Sequence, residues 1–541
     1  MISDLAGDFN FFGRKDILAL LTKRLEAFQN GFRQNIGLVG PPRVGKSALL
    51  RAFLEKAERS GLITIPFSCQ ESDSFDRFSQ RWMSEILLSV HHMLGRPLPM
   101  DLQALLRTVK GVIPKTLRRM KSVKKLTHRL RYAQAYRELL TVSEVLSQEC
   151  GKKILFVLDD FDRLADLPLE DPFGALGSEI MVQKDTMYLV SSSYISRSRA
   201  ILREKMSLLF GNFEVIQLST FNFEEAKDFI LRHLSGSTID VSTIRFLIRL
   251  TDAHPYYLTA LLKPLRSGSP SNDPQGRERL IEAVATQLYE KEGSFHHYFM
   301  LGLHSFAQGR PWNLYADVLL AVSLGHKKIS EIVPFLHLKT PEVRRILDRL
   351  VSLEVIERHG SLHIIRDPLF RFWLSKVYYR MRFFSERLPI VSRERFAHDV
   401  SQAIEEGNAA DLCDLPKRVE ELFRKFHNDT IFYGDRRLKC PHFTEVLSRP
   451  TNGRMFPLVA RNARTRWLCQ ILVHPVMEED IRTFVQDLKR LRSPVDKRIV
   501  VALKGIDLNA KLLAQEAKIQ YVDLRQLNFL ADVYDQPKFV F

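Results

Sequence analysis

The first part of the chain alternates short apolar bursts with longer stretches whose apolar residues recur at helical spacing. Ile17, Leu20, Leu21, Leu25 and Phe28 mark a helix over 14–30. NIGLVG at 35–40, LITIPFS at 62–68, KILFVL at 153–158, TMYLVSSS at 186–193 and EVIQLS at 214–219 read as buried strands. Strands separated by helix-length segments predict a parallel sheet covered on both faces. From Asn222 the strands stop. NFEEAKDFILRHL and VSTIRFLIRLT read as helices, the first with Asn222 as N-cap, and RSGSPSNDPQG at 266–276 reads as a linker. Residues 314–366 are helical and end in a hairpin turning at His359-Gly360-Ser361. Residues 416–541 return to mixed α/β, with PKRVEELFRKF a helix, RWLCQILVH a central strand, and KRIVVAL and IQYVDL strands each followed by a helix.

In the predicted helix after Thr340-Pro341, Val343, Ile346, Leu347 and Leu350 form a buried stripe. Thr340 is the expected N-cap and Pro341 the expected first helical residue. Arg344, Arg345 and Arg349 fall on the exposed side. Helices followed by a hairpin predict a winged helix-turn-helix, an architecture that reads DNA or clamps an adjoining domain.

The 541 residues are 45% apolar and 26% charged, which excludes a disordered chain and a small disulfide scaffold. Five dispersed cysteines with no CxxC pair fit a reduced, cytoplasmic protein. No signal peptide or membrane-spanning run is visible. Lys and Arg exceed Asp and Glu by 80 to 63, a net +17 that favours a polyanionic partner, nucleic acid or an acidic membrane surface. The excess is concentrated. Residues 102–137 hold eleven basic residues and no acid, among them Arg118, Arg119, Lys121, Lys124 and Lys125. This stretch reads as a protruding helical insertion that contacts phosphates, or as a solvated helical face. A milder excess runs from 366 to 395, with eight basic and three acidic residues.

Candidate chemistry centres on Gly40-Pro41-Pro42-Arg43-Val44-Gly45-Lys46-Ser47, which matches GxxxxGK[ST] between a strand and a helix. The glycines let main-chain N–H groups wrap a phosphate at the helix N-terminus, where Ala48 continues the first turn. Lys46 meets the β/γ-phosphates and Ser47 offers its hydroxyl to Mg²⁺. The apolar strand ILFVL then ends in Asp159-Asp160-Phe161-Asp162. Asp159 is the expected Mg²⁺ holder and Asp160 the expected base that orients the attacking water. The absence of an NKxD-type guanine signature favours ATP.

Phe12-Gly13-Arg14, GPPRVGKS, LDDFD, Ser191-Ser192-Ser193, LFGNF at 209–213, Ala253-His254-Pro255-Tyr256 and RDPLFRFWL at 366–374 occur in the order seen in archaeal-type prokaryotic ATPases. From about residue 9 to 375 the sequence resembles that family, the STAND-class relatives of AAA+ proteins. The resemblance implies that Phe12, Gly13 and Arg14 lie near the adenine and that Ser192 or Ser193 occupies the sensor position by the γ-phosphate. It also makes Pro255 the proline of a helical lid. Ala253 stands where the family has glycine. It implies a P-loop NTPase core over 1–221, a lid over 222–300, the winged helix over 301–375 and a helical connector over 376–415. The order of elements in 416–541 resembles a PD-(D/E)XK nuclease-type fold whose acid-x-Lys is missing, with Gln470 near the acidic position. Glu420 and Glu421 are the only candidate leftover acids, so this domain reads as an inactive binding or assembly module. Cys440 with His442, and Cys469 with His474, are too sparse for zinc.

The expected function is an Mg-ATP-binding switch ATPase that engages double-stranded DNA or a protein partner, itself included. The alternatives are a non-hydrolysing nucleotide-stabilised scaffold and an ATP-regulated nuclease.

Overall fold

The computed structural model describes residues 11–71, 73–95, 102–206, 213–234, 240–265, 274–307, 309–383, 389–433, 436–448, 455–490 and 494–540. The first ten residues, all of LFGNF but Phe213, and 266–273 of the linker lie outside them. The chain forms two compact units, Met1–Phe221 and Asn222–Phe541.

The first unit is built on five parallel strands: β1 (Asn35–Val39), β2 (Ile63–Ser68), β3 (Ile154–Asp159), β4 (Thr186–Ser192) and β5 (Phe213–Gln217). Their order across the sheet is β2-β3-β4-β1-β5, typical of P-loop NTPases. Strands buried on both faces use both sets of alternating residues. Leu155 and Val157 of β3 pack with Leu21, Leu25 and Phe28 of α1 (Lys15–Gln29) and Leu49 and Phe53 of α2 (Lys46–Arg59). Ile154, Phe156 and Leu158 turn to the opposite layer. That layer holds α3 (Phe75–Met93), α4 (Leu102–Lys110), α5 (Pro114–His128), α6 (Tyr132–Leu140), α7 (Val142–Cys150) and α8 (Pro172–Val182).

The basic stretch therefore does not protrude. Val109, Ile113, Val123 and Leu139 are fully buried in the cluster that holds Phe67, Trp82 and Phe156. The helices keep cations on one side and spend the other on the core. After β4 a short helix, α9 (Ile195–Ala200), leads toward β5.

The second unit opens with α10 (Phe223–His233), whose Asn222 side chain accepts from the Glu225 N–H at 2.8 Å. Glu225 returns the bond to the Asn222 N–H at 3.0 Å, closing a capping box. Helices α11 (Val241–Thr251), α12 (Pro255–Leu265), α13 (Pro274–Leu288) and α14 (Ser294–Ala307) follow. Then come α15 (Trp312–Ser323), α16 (Ile329–Leu336), α17 (Thr340–Ser352) and the antiparallel hairpin β6 (Ile356–His359) and β7 (Leu362–Ile365). The α17 stripe is buried as its spacing predicts. Its N-cap is Lys339 rather than Thr340, with no side-chain bond, because the helix starts one residue earlier than expected and Thr340 is already helical.

The chain continues through α18 (Pro368–Trp373), α19 (Tyr379–Phe383), α20 (Pro389–Leu412) and α21 (Leu415–Arg424). Strands β8 (Asp429–Tyr433) and β9 (Arg436–Cys440) form a second hairpin. A mixed sheet then runs β10 (Glu445–Ser448), β11 (Met455–Arg461), β12 (Arg466–Leu472), β13 (Lys497–Ala502) and β14 (Gln520–Asp523), in that spatial order. Helix α22 (Glu478–Arg490) follows β12, α23 (Leu508–Glu516) follows β13, and α24 (Leu524–Val533) follows β14. β12 is central: Cys469 and Ile471 enter one core, Leu468 and Leu472 the other.

If the basic helices are a true covering layer, Leu139→Ala should cost about 2–5 kcal/mol in urea unfolding, the range for a fully buried leucine. Leu130→Ala, at a site 71% exposed in the α5–α6 turn, should stay within about 0.5 kcal/mol.

Candidate nucleotide-binding site

The strand order brings three chain segments to one end of the sheet. β3, β4 and β1 are neighbours, so Asp159–Asp162, Ser191–Ser193 and the Gly40–Ser47 loop all emerge from adjacent carboxyl ends, where open α/β sheets bind ligands.

Gly40 has no room for a side chain, since a Cβ there would stand 2.4 Å from the Leu218 carbonyl oxygen. Gly45 turns into α2 with φ 103°, a conformation glycine favours. α2 starts with no side-chain cap and no acid in its first turn, leaving its N–H groups for an anion. Lys46 is only 6% exposed. Its Nζ donates to the Gly40 carbonyl at 2.9 Å, the Pro41 carbonyl at 3.0 Å and Ser193 Oγ at 2.9 Å. Burial lowers its pKa, against the pull of Asp159, Asp160 and Asp162. Pro41 and Ala48 are half-buried, Val44 is buried, and Pro42, Arg43 and Ser47 are exposed.

Ser47 Oγ lies 3.5 Å from Asp159 Oδ2. The other Asp159 oxygen accepts from Ser191 Oγ and, at 3.1 Å, from the Asp160 N–H. Asp160 sits in the left-handed region at φ 52°. Burial first, then the Asp159 and Asp162 charges, push its carboxyl up to about 6, while Arg163 and Lys46 oppose the shift. Buried Asp162 accepts from Ser192 Oγ at 2.5 Å.

The three serines thus divide: Ser191 holds Asp159, Ser192 holds Asp162, and Ser193 meets Lys46. Sequence reasoning gives a role to Ser192 or Ser193 and includes Ser191 and Asp162 in its motifs without a role of their own. The signal was there in the two runs, each of consecutive polar residues at the end of an apolar strand.

Gly13 and Arg14 have φ 70° and 56°. The Arg14 guanidinium donates to the Ser219 carbonyl and, at 3.3 Å, to the Thr220 carbonyl. It also lies 4.7 Å from the centre of the Phe221 ring, which Phe12 meets edge-on at 5.9 Å. These residues are fastened beside the chain that leaves β5.

Pro255 begins α12 in the second unit. Asp252 and Ala253 just before it adopt φ 51° and 54°, so alanine takes the conformation that glycine would hold with less strain. Tyr257 donates to Asp367, which also caps α18.

Among the cations singled out in the sequence, Arg118, Lys124, Lys125, Arg344 and Arg345 are exposed. Arg119 is paired with Glu138 at 2.6 Å, and Arg349 is half-buried. The turn of the β6–β7 hairpin, part of the element expected either to read DNA or to clamp an adjoining domain, is covered: a Cβ on Gly360 would stand 2.2 Å from the Thr430 carbonyl oxygen. His359 Nδ1 lies 2.6 Å from the Phe432 carbonyl oxygen, and Leu362 and Ile364 join the cluster of Val419 and Phe426. Gln470 is buried in β12, and Glu420 pairs with Arg424 at 2.6 Å. Among the described residues no group of three or more His, Cys, Asp or Glu side chains is arranged to hold a metal, and no helix is long and apolar enough to cross a membrane.

Residues 10–179 match the AAA ATPase domain family. The match falls within the first unit. The matched segment contains the phosphate loop and Asp159–Asp162 and stops before the serine strand end. No curated protein sequence matches the chain. Among solved structures it is similar to the Walker-type ATPase of Pyrococcus abyssi, with TM-score 0.49 and 18% identity over 69% of this chain and 99% of that one. The Orc2 protein of Aeropyrum pernix in its ADPNP–ADP complexes gives 0.40 and 15% over 74% and 98%. The Orc1 protein of the same organism, solved with DNA, gives 0.36 and 14% over 71% and 97%.

The two loop glycines should respond differently to alanine. Gly40→Ala must move the main chain at Leu218 and should cost the nucleotide-free protein about 3 kcal/mol or more. Gly45→Ala meets open space and should cost about 1–2 kcal/mol of backbone strain. Chemical denaturation of both variants checks the order.

Proposed function

We propose that the chain is an Mg-ATP-dependent switch ATPase that couples nucleotide binding and hydrolysis to engagement of DNA or a protein partner. The observation that carries this reading is the buried Lys46 ammonium, held on the Gly40 and Pro41 carbonyls and on Ser193, facing three aspartates. The fit to a phosphate and a divalent ion rests on three features: a glycine with no space for a Cβ, an uncapped helix start, and a hydroxyl 3.5 Å from a carboxylate.

Gly40 to Ala48 would wrap the phosphates. Lys46 would exchange its carbonyl acceptors for phosphate oxygens while keeping Ser193 in reach, so that strand β4 senses the anion. Ser47 and Asp159 would hold Mg²⁺, which supplies charge neutralisation on the phosphates. Asp160, next to Asp159 at the strand end, would accept the proton of the attacking water and aim it. Ser191 and the Asp160 N–H fix Asp159, and Ser192 fixes Asp162, so the acids are oriented before any ligand arrives.

Phe12, Gly13 and Arg14 beside the adenine, and Pro255 in a closing lid, come from the family resemblance. Helices α15–α17 with the β6–β7 hairpin support a winged-helix reading, in which Arg344 and Arg345 remain available on α17 and the hairpin serves as the intramolecular clamp. The sheet β10–β14 with buried Gln470 supports an inactive nuclease-like module.

Lys46→Ala should weaken nucleotide binding by at least about 100-fold, because the phosphate charge loses its partner. Asp160→Asn should keep binding within a few-fold and lose most phosphate release. Equilibrium binding of a fluorescent ATP analogue and a phosphate-release assay read the two effects. Parental turnover in Asp160→Asn removes it as the base, and phosphate release that persists in Lys46→Ala removes the site.

A further inference from the structure

Two stretches look basic in the sequence, and the fold treats them in opposite ways. In the second unit six of the eight cations of 366–395 are paired internally. Arg371 meets Asp532 at 2.6 Å, Arg380 meets Asp399 at 2.5 Å, Arg382 meets Asp317 at 3.1 Å, and Arg393 meets Glu282 at 2.5 Å. In the first unit ten of the eleven cations of 102–137 are exposed, and none of these ten has an ion pair among the described residues. Only Arg119 is paired, with Glu138.

The arrangement has a direction. α5 buries Thr116, Met120, Val123 and Thr127 along one side. Arg118, Lys121 and Lys125 line the opposite side at spacings of three and four residues, with Lys115 and Lys124 flanking them. From Lys115 to Lys125 this is an array about 15 Å long. Like charges so placed lie within one Debye length of several neighbours, and an extended polyanion relieves their repulsion better than a compact ligand.

The surroundings narrow the occupant. The N-terminus of α5 is already closed by Glu149, which accepts from the Lys115 N–H at 2.6 Å and the Thr116 N–H at 2.8 Å, so side chains alone face the anion. The apolar side of α5 is in the protein core and cannot lie in a lipid interface. Tyr132, at the start of α6, is half-buried with its ring centre 5.0 Å from that of Phe75, so its ring is not an open platform for stacking single-stranded bases. In the helix-turn-helix module, the hairpin tip is covered by β8.

We propose that the exposed face of α5, extended by the neighbouring cations of α4 and the α5–α6 turn, binds the phosphate backbone of double-stranded DNA without sequence preference. On this proposal the hairpin of the helix-turn-helix module is an internal clamp and α17 adds little to affinity. The proposal rests on the reading of the chain as a nucleotide switch that engages DNA, and names the surface that does so.

The test is anisotropy of two unrelated labelled duplexes with the full chain across a salt series. Each phosphate contact contributes about −0.9 to the slope of log K against log salt. The triple variant R118Q/K121Q/K125Q should flatten the parental slope by about 2–3 and weaken both duplexes about equally, by roughly tenfold or more. The double variant R344Q/R345Q should leave slope and affinity near parental. Mg-ATP-analogue binding, measured on every variant, reports the fold and is expected unchanged. Overturning results are no duplex binding by the parent, an unchanged slope in the triple variant, or loss of slope in the double variant instead. Triple-variant-sensitive sedimentation with anionic vesicles but no duplex binding assigns the face to a membrane and also overturns the proposal. If duplex binding behaves as expected while the parent binds no nucleotide, the switch reading fails and the surface stands.

Discussion

A buried ammonium is the constraint around which the nucleotide-binding unit is arranged. Removing Lys46 from water costs several kcal/mol unless its three protons find acceptors and nearby charge compensates it. Gly40, Pro41 and Ser193 provide the acceptors, and Asp159, Asp160 and Asp162 provide the charge. The compensation is mutual. The same lysine restrains the upward shift that burial and two neighbouring carboxylates impose on Asp160. None of this can assemble within one strand and its turn. It needs β1, β3 and β4 side by side, which is why the order of the sheet and the chemistry of its carboxyl edge are one fact rather than two.

The second unit shows a different economy of charge. Its cations are tied to acids far away in sequence: Arg249 to Asp411, Lys327 to Asp535 at 2.7 Å, Arg371 to Asp532. The β6–β7 hairpin gives its apolar side to the cluster of the C-terminal α/β region, and its turn lies against β8. The hairpin is thereby built into the sheet and helices that follow it. The first unit instead leaves a line of positive charge in solvent.

The phosphate loop was legible in the sequence because phosphate chemistry dictates residue type position by position. Five strands and the end of β3 in acids were legible for the same kind of reason, as apolar bursts that stop in polar residues. The packing of 102–137 was not, because its buried positions, Val109, Ile113, Met120 and Val123, are diluted among cations that dominate the reading. Arg118 and Arg119 are indistinguishable as letters, and their fates separate only because Glu138 comes back one helix later. Strands β9 and β10 went unread because RRLKC and EVLS are short and carry no strong apolar pattern, and their places in hairpin or edge come from pairing with distant partners. Strand β11 carries a proline, Pro457, inside its apolar run. Likewise, nothing local to Gly360 announces that Thr430 will cover it.

The central claim, that the segments gathered around Lys46 form one nucleotide site, is tested most directly by amide hydrogen exchange on the full chain with and without a non-hydrolysable Mg-ATP analogue. The account predicts protection that rises together in 40–48, in 159–162 and in 191–193, since Lys46 and the three serines link these segments. Protection of other segments with these three unchanged, or no protection at saturating analogue, would contradict it.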